Sequence, residues 1–268
     1  MFYPDQFLLL IAPPAWGKTR LFHQWVAESQ RPFIYLSPLR ALAEEVKRGL
    51  REHPGHLELG QSREKKIWEQ WARPADHARI IVTTPEPWGD FNWEGLARAV
   101  PDAAIVWDEV HLVQLWGEAF RERLLQQWWG FCGSGLCGVG LTGTADDVFI
   151  DFLRDSFAGF QTSLVLGTAG NFSFKTPPAK WVCGPASWLG EALESENPEG
   201  NTLIFCARRE EVDSWVWRLR EQGHAAVGCK GGETLEFSRT VPGRVSPVFI
   251  VATTCPSHGA NLPELKRV

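Results

Sequence analysis

Two short stretches carry residue types whose spacing suggests chemistry. The first, Ala12-Pro-Pro-Ala-Trp-Gly-Lys-Thr19, follows the apolar run Phe7–Ala12 and opens an amphipathic stretch. Prolines occupy only positions 13 and 14, so Ala15, Trp16, Gly17, Lys18 and Thr19 can all direct backbone N–H groups at one anion. In that setting the Lys18 ammonium would meet phosphate oxygens and Thr19 would offer its hydroxyl to Mg²⁺, while the helix start adds a favourable dipole. The second stretch is Asp108-Glu-Val-His111, directly after the apolar run Ala103–Trp107. Adjacent carboxylates at the end of a buried strand repel each other unless a cation sits there. Asp108 is therefore the expected metal holder with Thr19, and Glu109 the group that orients and deprotonates an attacking water. Taken alone, the loop also reads as a proline turn before an exposed lysine, and the carboxylate pair as a solvated helix start. Together, roughly 90 residues apart in one strand-helix frame, they point to in-line phosphoryl transfer on a bound phosphate ligand, with Mg²⁺ as the implied cation.

Such groups need a scaffold that brings them to one edge. Short apolar runs at 7–12, 32–36, 79–83, 103–107 and 138–141 alternate with helical patterns at 18–29, 39–52, 63–72, 114–128 and 147–157. Strand then helix, repeated, predicts a doubly wound parallel sheet. A further run at 163–166 leads into 167–180, rich in Gly, Thr, Pro and Asn, where a domain boundary is expected. The alternation then restarts, with helices at 186–193 and 210–222 and strands at 202–206, 225–228 and 248–252. The expected organisation is an α/β nucleotide-binding domain over 1–167 and a second, incomplete α/β domain over 181–268.

The 268 residues are 44% apolar and 22% charged, which excludes disorder as the main state and supplies enough apolar surface for real cores. With 27 Lys and Arg against 32 Asp and Glu, a polyanion could be held only by a local patch. The six cysteines form no C-x-x-C pair, so buried thiols in a reducing cytoplasm are expected, and the apolar start is too short to span a membrane. Fourteen tryptophans, several at core-like spacing, read mainly as packing residues, with base stacking as the minority reading.

The order of motifs resembles that of superfamily 2 helicases, the DExH-box branch in particular, over nearly the whole chain. Ala12–Thr19 is similar to motif I and Asp108–His111 to motif II. Ser37-Pro-Leu-Arg-Ala-Leu42 is similar to motif Ia and Thr84-Pro-Glu86 to motif Ib. Leu141-Thr-Gly-Thr-Ala145 resembles motif III, Thr202–Arg208 motif IV, and Val251-Ala-Thr253 with Gly259-Ala-Asn-Leu-Pro263 the Ski2-like form of motif V. The resemblance implies two RecA-like domains of the P-loop NTPase class, the second incomplete, that hold ATP-Mg and single-stranded DNA or RNA between them. It further implies that Pro38, Arg40, Thr84, Glu86 and Thr253 grip strand phosphates without reading bases. Thr142 and Thr144 would couple nucleotide state to strand grip, and His111 would join Lys18, Asp108 and Glu109 in catalysis.

Three departures stand against that pattern. Ala15 and Trp16 replace the usual glycine and small residue of the loop; only 11 residues precede Ala12, too few for an adenine-reading helix; and no Gln-x-x-Gly-Arg-x-x-Arg segment is present. An arginine finger typically contributes about 10³- to 10⁵-fold in rate. The expectation is a helicase-type ATPase that is slow alone, with a C-terminal continuation or a partner protein supplying the arginine. Two alternatives remain: a non-hydrolysing, partner-dependent module that binds ATP and nucleic acid, and a motor fragment of a defence or nuclease complex.

Overall fold

A computed structural model describes residues 6–13, 16–57, 71, 75–88, 91–157, 161–166, 201–230, 249–253 and 265–267. The chain divides into two compact units, Met1–Ala169 and Gly170–Val268. In the first, the seven strands among the described residues are all parallel: β1 (Gln6–Ile11), β2 (Phe33–Leu36), β3 (His56–Leu57), β4 (Ile80–Thr83), β5 (Ala104–Trp107), β6 (Cys137–Thr142) and β7 (Gln161–Leu166), in the order β3-β4-β2-β5-β6-β1-β7. The central strands are near-continuous apolar runs because both of their faces are covered.

One face carries α1 (Lys18–Glu28) and α2 (Arg40–Gly49), which bury Phe22, Val26, Ala43 and Val46 on Phe33, Tyr35, Ile80 and Val106. The other carries α3 (Trp93–Ala99), α4 (His111–Gly117), α5 (Glu122–Cys132) and α6 (Asp147–Ser156) over a layer dense in aromatic rings. Phe7 is its centre, stacked on Phe157 at 4.3 Å and edge-on to Trp128 at 5.7 Å. Its ring lies across β6, where a Cβ at Gly138 would come within 2.6 Å of it, so that strand position requires glycine.

The strands expected from apolar runs are present to within a residue or two at most ends. Two features differ. The single helix expected over 114–128 is two, α4 and α5, because the backbone leaves the helix at Arg121 (φ −121°, ψ 58°) and its N–H turns back to Trp116 O at 2.8 Å. The short elements α3 and β3 were not anticipated; α3 is capped by Asn92, whose side chain accepts the Gly95 N–H at 2.8 Å. The helices expected at 63–72 and 186–193 lie, apart from Trp71, outside the described residues. At α6 the Asp146 side chain caps the helix by accepting the Phe149 N–H at 2.8 Å.

The second unit holds β8 (Asn201–Phe205), α7 (Arg209–Glu221), β9 (Ala226–Cys229), β10 (Phe249–Ala252) and β11 (Leu265–Arg267), a parallel sheet in the order β11-β8-β10-β9. Val212 and Leu219 of α7 cover one face of it through Ile204, Phe249 and Val251. Cys132, Cys137, Cys206 and Cys229 are buried, while Cys183 and Cys255 lie outside the described residues. Among the described residues no helix is long and apolar enough to cross a membrane.

Candidate functional site

Parallel strands that run in one direction deliver their C-terminal ends to one edge of the sheet, the usual place for ligands in this architecture. Here β1, β5 and β6 are neighbours, so the loops after Ile11, Trp107 and Thr142 meet. Backbone bonds fasten them together: Ala12 N–H donates to Thr142 O at 2.9 Å and Val110 N–H to Leu141 O at 3.0 Å.

The loop after β1 turns through Trp16 N–H to Pro13 O, 3.2 Å, and enters α1 at Gly17. Gly17 has φ 104°, a left-handed conformation that a side chain would strain, which explains glycine there. Lys18 is half-buried and folds back on the loop, its Nζ donating to Ala12 O at 2.9 Å and Pro13 O at 3.4 Å. Thr19 follows within the first turn of α1, and the Trp16 ring packs partly on the apolar layer beneath α1. Ala15 lies outside the described residues.

Asp108 is buried at the end of β5, and its Oδ1 accepts the Glu109 N–H at 3.0 Å. Burial, with the charge of Glu109 beside it, raises its carboxyl to about 7, while Tyr35, the Glu109 N–H and Lys18 act in the opposite direction. Burial raises the Glu109 carboxyl as well, against the pull of Lys18 and a Gly143 backbone bond. Glu109 has φ 43°, the one non-glycine residue with positive φ among those described, a strained conformation held by its fixed surroundings.

His111 opens α4, its Nδ1 3.6 Å from Glu109 Oε2 and 2.8 Å from Thr142 Oγ1. The Thr142 hydroxyl donates to Thr144 O at 2.7 Å and accepts the Thr144 N–H at 3.1 Å. With that single proton committed, His111 Nδ1 must be the donor to Thr142. Lys18, Thr19, Asp108, Glu109, His111, Thr142 and Thr144 thus belong to one edge of one sheet.

The strand-gripping candidates are more dispersed. Arg40 is exposed at the first position of α2, Pro38 is buried, Thr84 is half-buried, and Thr253 belongs to the second unit, its N–H bonded to Cys229 O at 3.1 Å. Glu86 is engaged within the fold: it forms an ion pair with Arg121, whose guanidinium also donates to Pro38 O at 2.6 Å. Sequence reasoning missed Arg121, which ties the two motif segments together from the break between α4 and α5. The Gly259–Pro263 segment lies outside the described residues.

Tyr35 was missed too. It is wholly buried in β2, with its hydroxyl beside Asp108 and Thr19 yet meeting neither in hydrogen-bonding geometry. A tyrosine in the otherwise apolar run Phe33–Leu36 was the available signal, since a buried phenol ordinarily has a partner.

These residues fit a magnesium-nucleotide. Among the described residues no group of three or more His, Cys, Asp or Glu converges to hold a metal alone. Mg²⁺ does not need one, since it binds through one or two carboxylates with phosphate oxygens and water completing the shell. Asp108 keeps one carboxylate oxygen beyond the one bonded to Glu109, Lys18 has only carbonyl partners in the loop, and the Tyr35 hydroxyl stands unbonded beside them.

Comparison with known proteins agrees on the class of fold. Residues 2–129 match the family model described as DEAD/DEAH box helicase. Dbp5 of S. cerevisiae, solved bound to RNA and ADP BeF3, is 17% identical, with a TM-score of 0.65 over 96% of this chain and 68% of that chain. A variant of the same protein bound to a Gle1 variant and IP6 is 18% identical, with a TM-score of 0.53 over 92% of this chain and 64% of that chain. No curated protein matches by sequence. The architecture is RecA-like, a parallel α/β sheet followed by a second parallel sheet.

Proposed function

We propose that this chain is an ATP-dependent nucleic-acid motor of the superfamily 2 helicase type, with its nucleotide site at the C-terminal edge of the first sheet. The observation that carries the reading is the convergence of Lys18, Asp108 and Glu109, from two loops roughly 90 residues apart, with the His111–Thr142 bond beside them. The family match over residues 2–129 and the RecA-like fold support it.

In this reading Lys18 leaves its loop carbonyls for the phosphate oxygens, and the N–H groups of Gly17 to Thr19 complete the anion cradle. Thr19 and Asp108 would hold Mg²⁺, which when bound neutralises phosphate charge. Glu109 accepts the proton of the attacking water. Its raised carboxyl makes it a stronger base once ionised, and its fixed backbone aims it. His111, by donating to Thr142, links the catalytic loop to the segment ending in Thr144, a route by which nucleotide state can alter strand affinity. Pro38, Arg40, Thr84 and Thr253 remain the proposed strand contacts, and Glu86 acts through Arg121. RNA is the first substrate to try, since the similar Dbp5 structure contains it.

The test is phosphate release from ATP with and without homopolymeric single-stranded RNA or DNA. Strand-stimulated release is expected from the wild-type chain, supplemented if necessary with a motif VI peptide or partner. Glu109→Gln should lower it by about 10²- to 10⁴-fold. Equal rates in the two proteins would remove Glu109 from the chemistry and the ATPase reading with it.

A further inference from the structure

Phe120 is the most exposed large apolar side chain among the described residues, with 70% of its surface open to solvent. A single exposed apolar residue is ordinary, so its place decides what it means. Phe120 lies in the turn between α4 and α5, and that turn is fastened on two sides. Its own N–H and that of Arg121 both donate to Trp116 O, at 3.0 and 2.8 Å. Its ring leans on the Trp116 ring, centroids 5.8 Å apart, and Trp116 in turn packs against the aromatic layer. Arg121 lays its guanidinium over that indole at 5.3 Å while holding Pro38 O and Glu86. Pro38 follows β2 and Glu86 follows β4. The turn is therefore tied to the β4-β2 part of the C-terminal edge, next to the β5-β6-β1 part that carries Lys18, Asp108 and Glu109. The ring that protrudes there contributes little burial to the fold.

We infer that Phe120 is a stacking platform for one base of the single strand whose phosphates the Pro38–Arg40 and Thr84 segments are proposed to grip. The inference rests on the strand reading above. A strand gripped only by its phosphates leaves its bases without protein partners, and each base has a π face that an exposed ring can cover whatever its identity. The turn is held by Arg121 and the ring has only two side-chain torsions, so little freedom is lost when a base settles on it. The charged residues near it in the chain, Glu118, Glu122 and Arg123, are exposed and of both signs, so the turn offers a phosphate little net attraction. What it offers is an aromatic face. Trp116 is half-buried and engaged with Arg121, which leaves Phe120 as the ring presented outward. Sequence-blind affinity at this edge thus has two sources, phosphate contacts from the motif segments and a base contact from the α4–α5 turn.

The experiment titrates the full chain and its Phe120→Ala, Phe120→Tyr and Phe120→Leu variants with a short fluorescent oligouridine and with a fully abasic strand of the same length. Anisotropy is followed over a range of salt concentrations, starting low. Phe120→Ala should bind oligouridine about 5- to 100-fold more weakly and bind the abasic strand as wild type does. It should keep the wild-type salt slope, since no phosphate contact is removed. Phe120→Tyr should retain affinity and Phe120→Leu should not, because the contact needs a ring rather than apolar area. Phe120→Ala should also unfold at the wild-type temperature, and a marked drop would assign the ring to the fold and overturn the proposal. Unchanged oligouridine affinity in that variant would overturn it as well and leave the ring to another partner, such as a protein. An equal loss on the abasic strand would overturn it by showing that the turn shapes the phosphate grip. Absence of single-strand binding by the wild-type chain would instead remove the strand reading, and the role of Phe120 with it.

Discussion

The aromatic layer under α3 to α6 and the C-terminal edge of the same sheet are built from adjacent residues but on opposite terms. In the layer, rings interlock and two indole donors are paired: Trp93 Nε1–H donates to Gln127 at 3.0 Å and Trp128 Nε1–H to Ser156 at 2.9 Å, while the buried Trp107 Nε1–H has no hydrogen-bond partner. At the edge, two carboxylates are partly or wholly buried side by side, Glu109 holds a strained backbone, and the Tyr35 hydroxyl lacks a partner. Trp107 marks the crossing, its ring edge-on to Trp128 at 5.2 Å and its next neighbour Asp108. The layer stabilises the fold; the edge lowers its stability in return for groups poised to meet a ligand.

Substitutions in the two regions should therefore have opposite signs. Phe7→Ala, which removes the ring at the centre of the layer, should lower unfolding free energy by about 3–5 kcal/mol in a denaturant titration. Asp108→Asn, which removes a charge that burial disfavours, should raise it. A loss in both would erase the contrast. Next in size, Lys18→Ala should weaken nucleotide binding by about 1.5–3 kcal/mol with little change in unfolding, because in the free protein its bonds are only to its own loop.

The pH dependence sharpens the comparison further. A carboxyl raised from 3.8 to about 7 binds its proton more tightly folded than unfolded, so its stabilising contribution is present in acid and lost as pH rises through about 7. Ligand-free unfolding temperature should fall between about pH 4 and 7, less so in Asp108→Asn, and the difference should shrink with Mg²⁺-nucleotide. A flat wild-type profile would mean that the edge is not charge-frustrated. The smallest effect expected is for Arg121→Ala, which frees Glu86 and the Pro38 carbonyl: about 1–2 kcal/mol of stability, read by denaturant titration, with a parallel loss of strand affinity.

Much of this was legible from local pattern. Lys18, Asp108 and Glu109 announce themselves because each comes soon after an apolar run, and a parallel strand delivers the residues at its C-terminal end to one edge. The break between α4 and α5 was not legible, since the apolar spacing of 114–128 continues across it. The helix is stopped by the turn back to Trp116, with the Arg121 side chain held by Pro38 and Glu86. These two partners are 83 and 35 residues away in the chain.

The sequence by itself determined most of the elements and much of the chemical inventory, because hydrophobic period and adjacent carboxylates are local facts. Only the tertiary structure decided which groups face one another. That Thr142 receives the His111 proton, that Arg121 takes up Glu86, and that Tyr35 reaches the tip of α1 beside Asp108 all depend on strand order, which places β6 between β1 and β5 and β2 beside β5. Strand order is set by the joint burial of both sheet faces, a property of the whole domain to which every strand contributes and which no single stretch encodes.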